Sequence, residues 1–190
     1  MPRRRRSFFE GLYHLAPHAS DTRFLFPTDE ERNAFLERLA ETFRRFEIGL
    51  VAYTLMGNHY HAVVSIPDER VSAALQQLHA WYSRRHNKRR DRTAHLFRAH
   101  YAAREVTSDE DLLTVSRYLA YNPVIAGIAK HPFEWPWSSA APTAGLARPQ
   151  FGLDDEPICR AFGGHHEWRR RYRAFIEDSF ETSVRRLRPS

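Results

Sequence analysis

The order of strand and helix signals in this 190-residue chain predicts an α+β fold. The expected architecture is a ferredoxin-like (split βαβ) antiparallel sheet with helices on one face, plus a C-terminal helical and loop extension. Three observations carry that expectation. Gly57-Asn58 is a two-residue turn signal between two apolar runs, which predicts a hairpin. An amphipathic helical stretch precedes that hairpin. A second helical stretch follows it and leads into one more strand.

Along the chain, Pro2 to Ser7 reads as a basic arm whose Arg3, Arg4, Arg5 and Arg6 can meet phosphates or simply be solvated. Phe8 to Leu15 reads as the first strand, and Ala16 to Phe26 as an irregular stretch. Thr28 is a helix cap, and Glu31 three residues on completes a capping box. Phe35, Leu36, Leu39, Phe43 and Phe46 then recur at helical spacing. Ile48 to Met56 and His59 to Ile66 are the hairpin strands. Val71 to about Arg85 has helical spacing in Leu75, Leu78 and Tyr82, and a basic stretch runs from Arg84 to Arg92. His95 to Val106 holds the last strand. Ser108 opens another helix with Asp111 three on, running to about Tyr121, where Pro123 is expected to stop it. His131 to Pro149 reads as loop and Pro157 to Phe180 as a helical unit. Residues 1–7 are thus an arm, 8–130 a domain and 131–190 an extension packed on it.

The composition bounds the function classes. Hydrophobic residues at 42% and aromatic residues at 13% suffice for a core, which excludes disorder throughout. A net charge of +6 favours an anionic partner, nucleic acid first. The single cysteine, Cys159, excludes internal disulfides and a cysteine zinc cage, and is expected to be a small buried apolar residue. No apolar run approaches the ~18 residues that span a bilayer, and no signal-type run follows the basic arm. The expected location is cytoplasmic and nucleoid-associated, with no membrane partner.

Two groups of residues carry chemistry. His59 and His61 flank Tyr60 in a strand, so both leave the same face about 7 Å apart. They can share one divalent ion and leave positions open for oxygen ligands or a substrate phosphate. The plainer alternative is two histidines on a partly exposed sheet face, and two imidazoles alone bind weakly, so a third ligand is needed. Tyr118 and Asn122 lie four apart and share a helix face. A tyrosine attacks a phosphodiester if its hydroxyl sits in line and a metal offsets the charge, and Asn122 can complete the ligand set. Tyr121 is the rival nucleophile but points away, with Leu113 and Arg117. Arg84, Arg85, Lys88, Arg89 and Arg90, with Trp81 and Tyr82 interleaved, offer a basic groove for single strands. Trp135 and Trp137 are expected to pin the tail to the core.

Together these stretches resemble the REP-associated tyrosine transposases, relatives of the single-tyrosine HUH transposases. The matching segments are Pro2-Arg3-Arg4, Ala52-Tyr53-Thr54-Leu55-Met56-Gly57-Asn58-His59-Tyr60-His61, and His95-Leu96-Phe97-Arg98. Further on come Arg117-Tyr118-Leu119-Ala120-Tyr121-Asn122-Pro123-Val124-Ile125-Ala126-Gly127 and Trp135-Pro136-Trp137-Ser138-Ser139. Phe151-Gly152-Leu153 and Tyr172-Arg173-Ala174-Phe175 are similar to the family's tail. The resemblance implies a ferredoxin-like fold, an Mg2+ or Mn2+ ion, recognition of imperfect DNA hairpins and cleavage through a 5′-phosphotyrosine. It makes His59 and His61 the HUH ligands, Asn122 the third ligand and Tyr118 the nucleophile. Arg98 joins the expected DNA contacts. Ala16-Pro17-His18-Ala19-Ser20 replaces the family's usual Arg-Gly-Asn segment, and Ala102 follows Tyr101 where the family commonly has lysine.

The resulting expectation is a metal-dependent endonuclease and strand transferase acting on single-stranded or hairpin DNA, as a monomer or homodimer with no obligate protein partner. The alternatives are a non-catalytic DNA or RNA hairpin-binding module on the same sheet, and a replication-type HUH nuclease, for which the chain is short.

Overall fold

A computed structural model describes residues 8–20, 24–93, 95–164 and 166–187, with side chains up to residue 178. The strands are β1 (Gly11–Ala16), β2 (Gly49–Leu55), β3 (Tyr60–Ile66) and β4 (Ala102–Val106). The helices are α1 (Asp29–Arg45), α2 (Val71–Lys88), α3 (Asp109–Ile125), α4 (Ala140–Thr143), α5 (Glu156–Ala161) and α6 (Trp168–Leu187). The sheet order is β2-β3-β1-β4, antiparallel throughout, as a split βαβ unit requires. Arg3, Arg4, Arg5 and Arg6 lie outside the described residues.

Strand alternation divides the interior in two. Tyr13 and Leu15 of β1 and Tyr60, Ala62, Val64 and Ile66 of β3 face α1 and α2, meeting Phe35, Leu36, Leu39, Leu75, Leu78 and Tyr82. The two crossover helices share that face, as expected. Val51, Val63 and Val106 face the other way, toward Leu112, Val115 and Leu119 of α3 and Ile158 and Tyr172 of the C-terminal helices. α3 therefore adds a layer on the second face of the sheet. That face would otherwise expose an apolar surface.

Local chemistry sets the helix ends. Thr28 Oγ1 accepts from the Glu31 amide at 3.3 Å, and Ser108 Oγ accepts from the Asp111 amide at 3.1 Å. α2 runs three residues beyond Arg85, to Lys88, and takes much of the basic stretch into the helix. The expectation that Pro123 ends the last helix near Tyr121 is corrected: α3 continues to Ile125 with Pro123 inside it. A proline in the final turn removes one amide donor, the one that would have met the Leu119 carbonyl. Its buried ring and its carbonyl, which accepts from Ile128 N at 2.9 Å, hold that turn in place.

The tail closes the edge of the sheet. Trp135 Nε1 donates to the Leu55 carbonyl at 2.8 Å, Leu55 N to Trp137 O at 2.9 Å, and Ser139 N to Tyr53 O at 2.9 Å. This laces β2, an edge strand, to residues 135–139. Arg32 lies over both tryptophan rings, at 5.6 and 4.6 Å. The helical unit expected at Pro157 to Phe180 is two helices, separated where Gly163 and Gly164 take positive φ. Cys159 is half-buried against the α3 core, where full burial was expected.

At the N-terminus of α1, buried Glu31 receives Arg90 through two hydrogen bonds of 2.7 and 2.9 Å. Burial raises the Glu31 carboxyl, but Arg90 outweighs it and leaves the group below the usual range. Replacing Arg90 with leucine strands that carboxylate. The Arg90→Leu variant should lose about 2–3 kcal/mol by urea denaturation. Neutralising exposed Glu30 should change the urea midpoint far less than Arg90→Leu does.

Candidate active site

The site forms where α3 crosses the face from which the odd-numbered residues of β3 project. His61 opens that face in β3 and is buried. His59 precedes the strand and is bridged to His18, the two rings stacking at 4.6 Å. The His59 and His61 rings are 4.9 Å apart and nearly perpendicular. Tyr118 of α3 meets His61 edge-on at 5.4 Å and His14 at 6.2 Å, yet stays 46% exposed. Its hydroxyl-bearing ring is thus held at the histidines and open to solvent.

Hydrogen bonds orient the two imidazoles. Asn58 Oδ1 lies 2.8 Å from His59 Nδ1. An amide oxygen can only accept, so Nδ1 carries the proton and Nε2 keeps its lone pair. His61 Nδ1 lies 3.0 Å from His14 Nε2. With that proton donated to His14, His61 Nε2 is also a free lone pair, and it is buried without a hydrogen-bond partner. The amide nitrogen of Asn122, one turn beyond Tyr118, is buried and unpartnered, but it is a donor, so a metal would be met by the amide oxygen. The His59 lone pair, that of His61 when His14 takes its Nδ1 proton, and the Asn122 amide oxygen form a donor set that suits a divalent ion. Among the described residues no group of three or more His, Cys, Asp or Glu is arranged to hold a metal, so the set depends on Asn122.

The imidazoles are held neutral. Burial, then the neighbouring histidines, pushes His61 down to about 3. Burial, then His18, pushes His59 down to about 4, and burial, then Arg104, does the same to His14. Arg104 is the register partner of His14 on β4 and is paired with Asp111 at 2.7 and 2.9 Å.

Residues 17–20 are woven between the hairpin and residues 96–98. Ala19 N donates to Asn58 O at 2.8 Å, Tyr60 N to Pro17 O at 3.2 Å, and Arg98 N to His18 O at 2.9 Å. Arg98 Nε donates to Ala19 O, which keeps this exposed cation beside His18. The segment that departs from the expected Arg-Gly-Asn therefore abuts the histidines. Ala16 and Ala102, one from each departure, are direct partners across β1 and β4.

The remaining basic residues are placed elsewhere. Arg85 pairs with Glu30 at 3.2 Å, Arg89 pairs with the same carboxylate, and Arg90 with Glu31. Arg84 and Lys88 are exposed, on the helix that packs against the sheet face away from the histidines. Tyr82 does not interleave with them: it is buried, and its hydroxyl donates to Leu25 O at 2.6 Å. Tyr121 is likewise buried, donating to Ile176 O at 2.8 Å.

Sequence reasoning missed His14, Asn58 and the role of His18. His14 was legible in principle. In the expected strand order it sits beside β3, on the same alternation parity as its diagonal neighbour His61.

Comparisons with known proteins bear on the family and the fold. The family described as "Transposase IS200 like" matches residues 7–122. The solved structure of a REP-associated tyrosine transposase bound to a REP hairpin superposes with a TM-score of 0.65 at 15% identity, covering 82% of this chain and 93% of that one. A candidate transposase from Deinococcus radiodurans has a TM-score of 0.43 at 20% identity, covering 62% and 95%. No curated protein matches the chain.

Because His14, His59 and His61 resist protonation in the fold, acid favours the unfolded chain, whose histidines titrate near 6.5. In chelator, stability should be level above about pH 6.5 and fall toward pH 4. Urea midpoints at pH 7.5 and 4.5 check this, and His61→Gln should shrink the difference between them.

Proposed function

The chain belongs to the IS200-like transposase family, and on that premise we propose that it is a metal-dependent single-strand DNA endonuclease and strand transferase. One observation carries this reading: an exposed tyrosine is held against His61, whose ring neighbours that of His59, and both imidazoles are neutral. Such an arrangement serves nucleophilic phosphoryl transfer. Mere packing would have buried the Tyr118 ring, as it does that of Tyr121 three residues on.

In the proposed reaction the Tyr118 oxygen attacks the scissile phosphorus. A phosphotyrosine bond to the 5′ side forms, and the 3′-oxygen leaves. A second 3′-hydroxyl later attacks the same phosphorus and releases Tyr118. The bond energy is conserved for rejoining, as strand transfer needs. His59, His61 and Asn122 would hold Mg2+ or Mn2+, which supplies charge neutralisation at the phosphate when bound. His14 and Asn58 keep the ligand nitrogens of His61 and His59 deprotonated. α3 fixes the Tyr118 ring through the burial of Leu119 and Tyr121 on either side of its face. The substrate class is single-stranded DNA carrying a hairpin. Support for this comes from the REP hairpin bound by the similar transposase and from the positive charge of this chain. Arg98, beside His18, is the best-placed phosphate contact among the expected basic residues that are described, while Arg84 and Lys88 could extend the path only around the sheet.

A labelled hairpin from DNA flanking the gene, incubated with manganese, should yield a protein–DNA adduct that survives denaturing gels. Tyr118→Phe should abolish the adduct and leave binding within about twofold. His59→Ala or His61→Ala should lower cleavage by a factor of ~100 or more. Tyr121→Phe should keep the adduct and cost about 1 kcal/mol of stability. Binding without any adduct on every flanking hairpin would overturn the nuclease reading in favour of a binding module.

A further inference from the structure

Phe24 is 66% exposed, and the two residues after it, Leu25 and Phe26, are completely buried. The backbone is anchored to the hairpin turn, with Leu25 N donating to Gly57 O at 2.7 Å and Phe26 N to the same oxygen at 3.4 Å. The Phe24 ring lies on Gly57: a Cβ there would come within 2.9 Å of two ring carbons. Gly57 is two residues before His59. An aromatic ring is thus seated on the turn that leads into His59, with its anchor buried and much of its surface in water.

Among the described residues the other exposed large aromatics are Tyr118 and Phe9. Phe9 precedes β1, at the strand end away from residues 16–20, and its amide donates to Tyr13 Oη. Phe24 is therefore the one seated on the turn that leads into His59 and without a part in the chemistry. Arg98 is held near the same edge through Ala19 and His18, both tied to the turn at residues 57–59.

We propose that Phe24 is the base-stacking residue of this site, taking the face of an unpaired nucleobase next to the phosphate presented to Tyr118. The inference rests on the single-strand DNA reading above and names how that strand is held. An unpaired base has an apolar face that stacking removes from water, and a preseated two-torsion side chain loses little freedom on binding. A duplex stem keeps its bases stacked internally and has no face to offer. Phe24 would thus select an unpaired flank, and the selection would not depend on base identity.

The test uses the full chain in a Tyr118→Phe background with manganese, so that binding is read without turnover. The probe is a flanking hairpin with single-stranded tails on both sides, 5-iodouracil being placed at one tail position at a time. One tail position should crosslink on irradiation, with the adduct peptide carrying Phe24. Phe24→Leu should abolish that crosslink and weaken binding of tailed DNA about tenfold, and Phe24→Trp should keep both. The hairpin without tails should bind all three proteins equally. Gly57→Ala, whose Cβ evicts the ring, should weaken tailed binding in the Phe24 protein and add nothing to Phe24→Ala. Unchanged tailed binding in Phe24→Leu, or equal loss on the tailless hairpin, would overturn the proposal. Adduct formation by the Tyr118 protein is scored separately. Adducts with a silent Phe24→Leu sink only the stacking role, and Phe24-dependent tail binding without adducts sinks only the nuclease. Absence of DNA binding sinks both.

Discussion

The antiparallel register of β1 against β3 is the constraint on which the rest depends. Side chains alternate with a period of two, so a slip of one residue would exchange the faces of a whole strand. The observed register pairs His14 with Val63 and leaves His61 on the diagonal, within hydrogen-bond reach of His14. The same register sends Tyr60, Ala62, Val64 and Ile66 into the α1–α2 core. A slip would bury histidines among phenylalanines and turn four apolar side chains of the α1–α2 core to the opposite face. Core formation thereby enforces the ligand geometry, and the site needs no separate device to assemble it.

α3 supplies the second half of the site by being amphipathic in an unusual way. Leu112, Val115, Ser116, Leu119, Ala120, Tyr121 and Pro123 are buried between the sheet and the C-terminal helices. Tyr118 occupies the gap in that contact, over the histidines. Tyr121 ties the helix to α6 through the Ile176 carbonyl. The tail thus bears on the position of Tyr118. The tryptophans at 135 and 137 act at the other edge, closing β2 against stray pairing.

Charge is distributed by partner as well as by composition. Three of the cations in the basic stretch that ends α2 answer Glu30 and Glu31 at the start of α1, where carboxylates also favour the helix dipole. These pairs join two helices on the face opposite the histidines. Arg98, a cation beside His18, comes from a stretch with little charge density. Its position is set by backbone hydrogen bonds to His18 and Ala19.

The sequence by itself determined the element order, the hairpin at Gly57-Asn58, the caps at Thr28 and Ser108, and the same-face placement of His59 with His61 and of Tyr118 with Asn122. Each of these follows from spacing within one element, where the helical or strand period fixes direction. The extent of α3 past Pro123 did not follow, because it depends on what buries the proline ring and receives its carbonyl. Nor did the partnership of His14 with His61, the stacking of His18 on His59 or the neutralisation of Arg85, Arg89 and Arg90. Those join residues 41 or more positions apart. Only the tertiary structure brings such residues together. The strength of a charge, or the protonation of an imidazole, is decided by what lies within a few ångströms, and sequence spacing carries no information about that distance.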